Sequence, residues 1–238
     1  MLAFDEVPVW WLATDTIAPA DLCRWLNLLD EDERDRADRF WQEADRREFI
    51  AAHALLRSML TYYANQPAKE WRFSIGTNGK PEIASDIGGP ELQFNLSHTR
   101  GLVAAAISSN GTIGIDAEKI DRAKFDSAVA DAFFAPAEVG LLRRVPEADR
   151  PMWFFRLWTL KEAYIKAIGT GVSMPLRSFA FAFEPIRIRF ASSSGYQAED
   201  WHFNILPTTC QHILSVAAHR AAGSSIRVVL RAVAVHCL

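Results

Sequence analysis

The sequence predicts an α+β fold built from two successive halves, and three observations predict it. The order strand, helices, strands runs once before Gly111 and begins again at Ile113. A short echo links the two runs: Phe94-Asn95 precedes Val103-Ala104-Ala105-Ala106, and Phe203-Asn204 precedes Val216-Ala217-Ala218. Short apolar matches recur by chance, so the echo carries little weight alone. The length, 238 residues, suits one large domain or two small ones.

The elements follow in order. Val7-Pro8-Val9-Trp10-Trp11-Leu12 reads as an opening strand within residues 1–15. A helical stretch is expected near Pro19–Leu29. A second runs from Asp30 through Arg57 to about Ala64, with Gln42–Asp45 as its breaking point. Residues 70–110 are strand-rich, with turn signals at Thr77-Asn78-Gly79, Gly88-Gly89-Pro90 and Asn110-Gly111. From Ile113 a strand is followed by helices through Gly169 and strands to the end. The boundary is placed near Gly111, giving halves 1–111 and 112–238.

Two segments carry chemistry. Thr112-Ile113-Gly114-Ile115-Asp116-Ala117-Glu118-Lys119 alternates as a strand, with Ile113, Ile115 and Ala117 on the core face. Gly114, Asp116 and Glu118 share the other face, where Gly114 leaves room for a ligand to approach the backbone. The two carboxylates stand about 7 Å apart along the strand and repel unless a cation lies between them. A solvated strand face is the plain alternative. The second segment, Trp158-Thr159-Leu160-Lys161-Glu162-Ala163-Tyr164-Ile165-Lys166, is helical. Trp158, Glu162 and Lys166 fall at i, i+4, i+8 on one face. Leu157, Leu160, Tyr164 and Ile168 fall on the core arc with Lys161 near it, and Gly169 and Gly171 mark the stop. Alone, Glu162 with Lys166 is an ordinary surface ion pair.

Together the two segments resemble the phosphopantetheinyl transferases, in the larger type with two half-domains in one chain. That family carries a strand G-[IV]-D-[IV]-E and a helix W-[ST]-x-K-E-[AS]-[FY]-x-K. Arg39-Phe40 before Asp45, Leu55-Leu56-Arg57, Phe73-Ser74 leading to Gly79-Lys80-Pro81, and Phe94-Asn95-Leu96-Ser97-His98 match in the same order. The resemblance runs from about Arg34 to Phe183. It implies two similar α+β halves about a pseudo-twofold axis, with coenzyme A in the cleft between them. The implied reaction moves 4′-phosphopantetheine from coenzyme A to a serine of an apo acyl or peptidyl carrier protein, releasing 3′,5′-ADP. Asp116, Glu118 and Glu162 match the family's metal ligands, for magnesium or manganese in its place. Lys166 would stabilise the pyrophosphate, and Glu162 is the candidate base, directly or through a metal-bound water.

The resemblance also places Arg36, Gly79, Lys80, Pro81, Ser97, His98 and Lys166 at the coenzyme. Lys80 and His98 would meet its phosphoadenosine end, Gly79 would let the backbone approach, and Pro81 would hold the turn. His53, His202, His212, His219 and His236 match no motif. Two positions depart from the pattern: Glu33 and Glu48 stand where basic residues are expected. Arg34, Arg46 and Arg47 are near enough to substitute, and the arginines among Asp30–Arg39 also suit a solvated helix face. Carrier contact is expected within Phe125–Arg144, which holds Phe133-Phe134, Leu141-Leu142 and Arg143-Arg144. Phe133 and Leu141 are also natural core residues.

Composition narrows the remaining classes. A hydrophobic share of 50% with 23% charged residues is that of a globular protein. A net charge of −3 disfavours nucleic acid as partner. There is no run long enough to suggest a membrane span, and Met1-Leu2-Ala3-Phe4-Asp5-Glu6 has no signal-like start. Cys23, Cys210 and Cys237 lie far apart, as reduced thiols of a cytoplasmic protein would. A monomer is expected. A serine hydrolase using Ser97 and His98 is disfavoured because strand neighbours point to opposite sides. A P-loop at Gly76–Lys80 is too short and is followed by Pro81. A binding module that lost catalysis would not need three carboxylates and Lys166.

Overall fold

The computed structural model describes residues 2–76, 79–88, 91–190, 198–220 and 225–238. The expected turn residues Thr77, Asn78, Gly89 and Pro90 lie outside them. The first half opens with β1 (Glu6–Ala13), then α1 (Pro19–Leu26) and α2 (Glu31–Asp38). Asp30 caps α2 reciprocally: its carboxylate accepts from the Glu33 N–H at 2.9 Å, and Glu33 accepts from the Asp30 N–H at 3.1 Å. The long helical stretch does break, over residues 39–42, before α3 (Glu43–Ala64). That helix ends at Asn65, whose left-handed φ of 55° closes it. The short hairpin β2 (Phe73–Ile75) and β3 (Pro81–Ile83) precedes a longer one, β4 (Gln93–Thr99) and β5 (Leu102–Ser108).

The second half repeats the theme. β6 (Ile113–Lys119) is followed by α4 (Ser127–Phe133), α5 (Pro136–Arg144) and α6 (Arg150–Ile168). The strands β7 (Phe179–Ala182), β8 (Arg187–Phe190), β9 (Trp201–Leu206), β10 (His212–His219) and β11 (Arg227–Ala232) complete the chain. One sheet has the order β6-β10-β9. A larger one has the order β11-β1-β5-β4, and β2-β3 and β7-β8 form two-stranded sheets. The last strand therefore returns to the first half, where it pairs parallel with β1, Glu6 opposite Arg227.

Side-chain alternation explains the stacking. In β5, Val103, Ala105 and Ile107 face α3, while Leu102, Ala104 and Ala106 face the other sheet. Ile113, Ile115 and Ala117 of β6 meet them there, with Leu214, Val216 and Ala218 of β10. The two sheets thus enclose an apolar layer, α3 covers the first sheet and α6 the second. The small Ala51, Ala52 and Ala54 on α3 are fully buried, which lets the helix lie close to its sheet. No helix among the described residues is long and apolar enough to cross a membrane.

Candidate active site

The site begins at the seam between the sheets. β4 and β6 are edge strands of different sheets, and side chains of one satisfy the backbone of the other. Asn95 Oδ1 accepts from the Ile115 N–H at 2.8 Å, Ser97 Oγ from Ala117 N–H at 3.1 Å, and Thr99 Oγ1 from Lys119 N–H at 3.3 Å. Alternate residues on each strand point the same way, so the rungs keep step. Without them these N–H groups would be buried and unpaired. Sequence reasoning missed Asn95 and Thr99, whose signal is polar residues at i, i+2 and i+4 of a strand.

Ser97 ties the seam to the charges. Its hydroxyl donates to Asp116 Oδ1 at 3.1 Å and accepts from Lys166 Nζ at 3.1 Å. It was expected to face the coenzyme; instead the hydroxyl is consumed inside the protein, and the residue is buried. Removing it would leave the Ala117 N–H unpaired, at about 1–3 kcal/mol. Ser97→Ala should lower the unfolding free energy by that much and speed amide exchange at Ala117. Ser97→Thr should retain both properties, and an unchanged Ala117 exchange rate in the alanine variant would show that the rung does not bear on the seam.

The four charged groups converge as expected. Lys166 Nζ donates to Asp116 Oδ1 at 2.6 Å. Asp116 Oδ2 is buried and has no hydrogen-bond partner among the described residues. Burial pushes the Asp116 carboxyl up against the pull of Lys166 and Ser97. Glu118 is pushed up to about 7, first by burial and then by the Asp116 charge. Glu162 is raised by burial and by Asp116, with Lys166 opposing. Thr99 Oγ1 lies 3.5 Å from Glu118 Oε2. Among the described residues no three such side chains already stand in coordinating geometry. The donor chemistry is of the kind a small hard cation takes: three carboxylates, one with a buried oxygen unpartnered among the described residues, the other two raised by burial and then by the Asp116 charge.

α6 holds the other members. Leu157, Leu160 and Tyr164 are fully buried, and Gly169 ends the helix with φ 70°. Gly114 is needed for a reason other than the expected one. A Cβ there would collide with the Ala163 carbonyl and the Ala167 backbone, so the space is taken by the helix and not by a ligand. Lys161 is buried in the core, paired with buried Glu138 at 2.8 Å and donating to the Leu176 and Phe179 carbonyls, each at 2.8 Å. This burial follows from the core arc near which the helical spacing places Lys161.

Two cavities border this cluster. The first, about 660 Å³, lies between the halves and is lined by Lys80, Phe133, Trp158, Glu162, Lys166 and Met174, among others. Gly79 and Pro81 also line it, and Gly79 has φ +80° with open space around it, as an approachable turn requires. The second, about 620 Å³, lies on the first half and includes Arg36, Phe49, His53 and His98. Pro81 and Leu96 line both. The structure does not bring Lys80 and His98 together. Lys80 Nζ donates to the Ile113 carbonyl at 2.9 Å and the Ala167 carbonyl at 3.3 Å, and burial lowers it to about 8. His98 lines the second cavity and is exposed; desolvation, then Lys166, lowers its pKa. Ser97 and His98 therefore point to opposite sides, which removes the hydrolase reading.

The two departing glutamates are also accounted for. Glu33 accepts from Arg57 Nε at 2.7 Å and pairs with His53 Nδ1 at 2.7 Å. Glu48 is buried and accepts from the Gly101 N–H at 3.0 Å. Of the arginines proposed to substitute, Arg46 pairs with Asp38 at 3.1 Å, and Arg34 donates to the Leu29 carbonyl at 2.5 Å. Of the segment expected to meet a carrier, Phe133 is half exposed at the cleft while Phe134 is buried. Arg143 pairs with Asp131 at 2.8 Å on the surface.

Comparisons with known proteins bear on the chain as a whole. Residues 112–220 match the family model described as 4'-phosphopantetheinyl transferase superfamily. Residues 16–110 match the one described as 4'-phosphopantetheinyl transferase, N-terminal. The chain is 36% identical over 172 residues to 4'-phosphopantetheinyl transferase HetI of Nostoc sp., covering 72% of each chain. It is 31% identical over 157 residues to 4'-phosphopantetheinyl transferase Sfp of Bacillus subtilis, covering 66% of this chain and 67% of that one. A phosphopantetheinyl transferase of Thraustochytrium sp. is 29% identical over 232 residues, 91% of this chain and 80% of its own.

Proposed function

The chain belongs to the 4'-phosphopantetheinyl transferase superfamily, and we propose that it moves phosphopantetheine from coenzyme A to a carrier-protein serine in a magnesium-dependent reaction at the seam between its halves. The observation that carries this reading is the meeting of Asp116, Glu118, Glu162 and Lys166, the last two of which line a cleft large enough for an extended substrate. Asp116, Glu118 and Glu162 are the residues that would hold the cation. Magnesium, when bound, supplies neutralisation of the pyrophosphate charge.

The chain's own residues divide the remaining work. The carrier serine Oγ bonds to the phosphorus nearer pantetheine while that phosphorus releases the bridging oxygen. The 3′,5′-ADP leaves with the bond's electron pair. Glu162 lines the cleft, and its raised pKa suits it to take the serine proton. Lys166, now on Asp116, is placed to meet negative charge as it shifts to the leaving oxygen. Arg36 and His98 serve the phosphoadenosine end in the second cavity, Gly79 and Pro81 form the rim between the two cavities, and Lys80 fixes the adjoining loop to α6. Residues 1–111 thus take the nucleotide end and 112–238 the chemistry.

Mass spectrometry of an apo carrier protein incubated with coenzyme A tests the reading. The expected result is a gain of one phosphopantetheine that stops with chelator and returns with magnesium. Loss of the free coenzyme without carrier modification would point to a hydrolase, and no change in either would defeat the transferase reading.

Carrier docking gives a further prediction. Phe133 is exposed at the cleft rim, and Arg143 and Arg144 follow on α5. Carrier proteins of this kind are acidic, so attraction is local on a chain of net charge −3. Arg143→Glu with Arg144→Glu should raise KM for the carrier, more at low salt, with little change in KM for coenzyme A. Carrier KM values that match wild type at low ionic strength would move docking elsewhere.

A further inference from the structure

We propose that His53 is a specificity-determining residue that reads a phosphate monoester at the nucleotide end of the coenzyme, an inference that rests on the transferase reading. The starting point is the exchanged charge at position 33. The resemblance expects a cation there, and the chain has Glu33, buried against Arg57 and His53. Burial works to raise this carboxyl, but its bonds to His53 and Arg57 more than offset that and hold it below the ordinary carboxylate range. An ionised Glu33 receives the Nδ1–H of His53, which leaves Nε2 for a second partner. Among the described residues no hydrogen-bond partner for Nε2 is found.

The ring is also held in place. The His53 and Phe49 ring centroids lie 4.1 Å apart, and the Arg36 guanidinium sits 5.3 Å over the Phe49 ring. His53 and Arg36 line the second cavity with His98, against apolar Phe49 and Leu96. Arg57 is fully buried and spent on Asp30 at 2.6 Å, on Glu33 and on two carbonyls, so it is not available to a ligand. Asp32 and Asp35 on the cavity wall would repel an anion unless cations outweigh them. Glu33 therefore orients a donor on α3 toward the cavity where α2 lacks the expected cation. With an anion bound, Nδ1–H would go to the Glu33 carboxylate and Nε2–H to a phosphate oxygen.

The test compares coenzyme A with dephospho-coenzyme A, in transfer and in titration calorimetry, on the full chain. Wild type should prefer coenzyme A. His53→Ala should reduce that preference about tenfold, as loss of one charged hydrogen bond predicts, with kcat at saturating coenzyme A within about twofold. His53→Lys should restore the preference. A purely structural His53 would weaken both ligands equally, and lysine would not rescue; either result overturns the proposal. Should His53→Ala fold poorly, His53→Gln gives the same comparison with the ring's volume largely kept. A wild type that transfers from coenzyme A without preferring it over dephospho-coenzyme A overturns this inference alone. A wild type that transfers nothing from either overturns the transferase reading with it.

Discussion

Asp116→Asn and Glu162→Gln should each reduce transfer by on the order of 10²–10³-fold while leaving the fold intact. The metal-free protein already carries an electrostatic cost here. Asp116 is buried with one oxygen unpartnered among the described residues, and burial, then the Asp116 charge, raises both Glu118 and Glu162. Neutralising one carboxyl relieves repulsion and removes a cation ligand at once. Lys166 loses its counter-charge in Asp116→Asn, but its side chain is 31% exposed and can turn to water. The sign with pH follows from Glu118. Its folded pKa of about 7 lies above the unfolded value near 4.5, so its contribution to stability is full below 4.5 and is lost as pH rises through 7. The melting temperature of chelator-treated wild type should fall as pH rises from about 4.5 to about 7, and Glu118→Gln should flatten that slope. Wild-type turnover in both Asp116→Asn and Glu162→Gln would falsify the metal-site assignment.

The largest loss of stability is expected at Lys161. Its ammonium and the Glu138 carboxylate are both fully buried, 2.8 Å apart. Burial lowers the Lys161 pKa while Glu138 opposes it. Each partner also serves backbone: Glu138 accepts from the Ala135 N–H at 2.9 Å and Phe181 N–H at 2.8 Å. Lys161→Met leaves a buried carboxylate without its counter-ion, which costs about 3–5 kcal/mol. The double variant Lys161→Met, Glu138→Gln should recover part of that, because the amide keeps one acceptor for the N–H groups. The same ammonium holds the Leu176 carbonyl, and Leu176 lines the cleft. Transfer should therefore fall in the single variant beyond what its unfolded fraction explains. Urea unfolding within about 1 kcal/mol of wild type would mean that the pair is replaceable at no cost.

Much of the architecture was legible because periodicity reports burial. The alternation of β6 assigned Ile113, Ile115 and Ala117 to the core, and all three are buried. The helix face carrying Trp158, Glu162 and Lys166 came from a spacing of four, and Gly169 ends α6 as its left-handed φ allows. What periodicity does not report is the partner across the face. Gly114 was read as space for a ligand and is space for α6. Ser97 was read as ligand-facing and is a rung to β6. Both depend on residues tens of positions away.

The sequence by itself determined the α+β class, the alternation that sorts each strand, and the ordered motifs that place the chain among phosphopantetheinyl transferases. These are local properties: residue type and spacing decide them before any contact forms. Only the tertiary structure decided that Lys80 and His98 border different cavities, that β11 closes the first sheet, and that Glu33 holds His53 against Arg57. A side chain's charge is written in the chain, but the groups that neutralise it are chosen by how distant elements pack. That is why a glutamate at a position expected to be basic became interpretable only once its neighbours on α3 were in place.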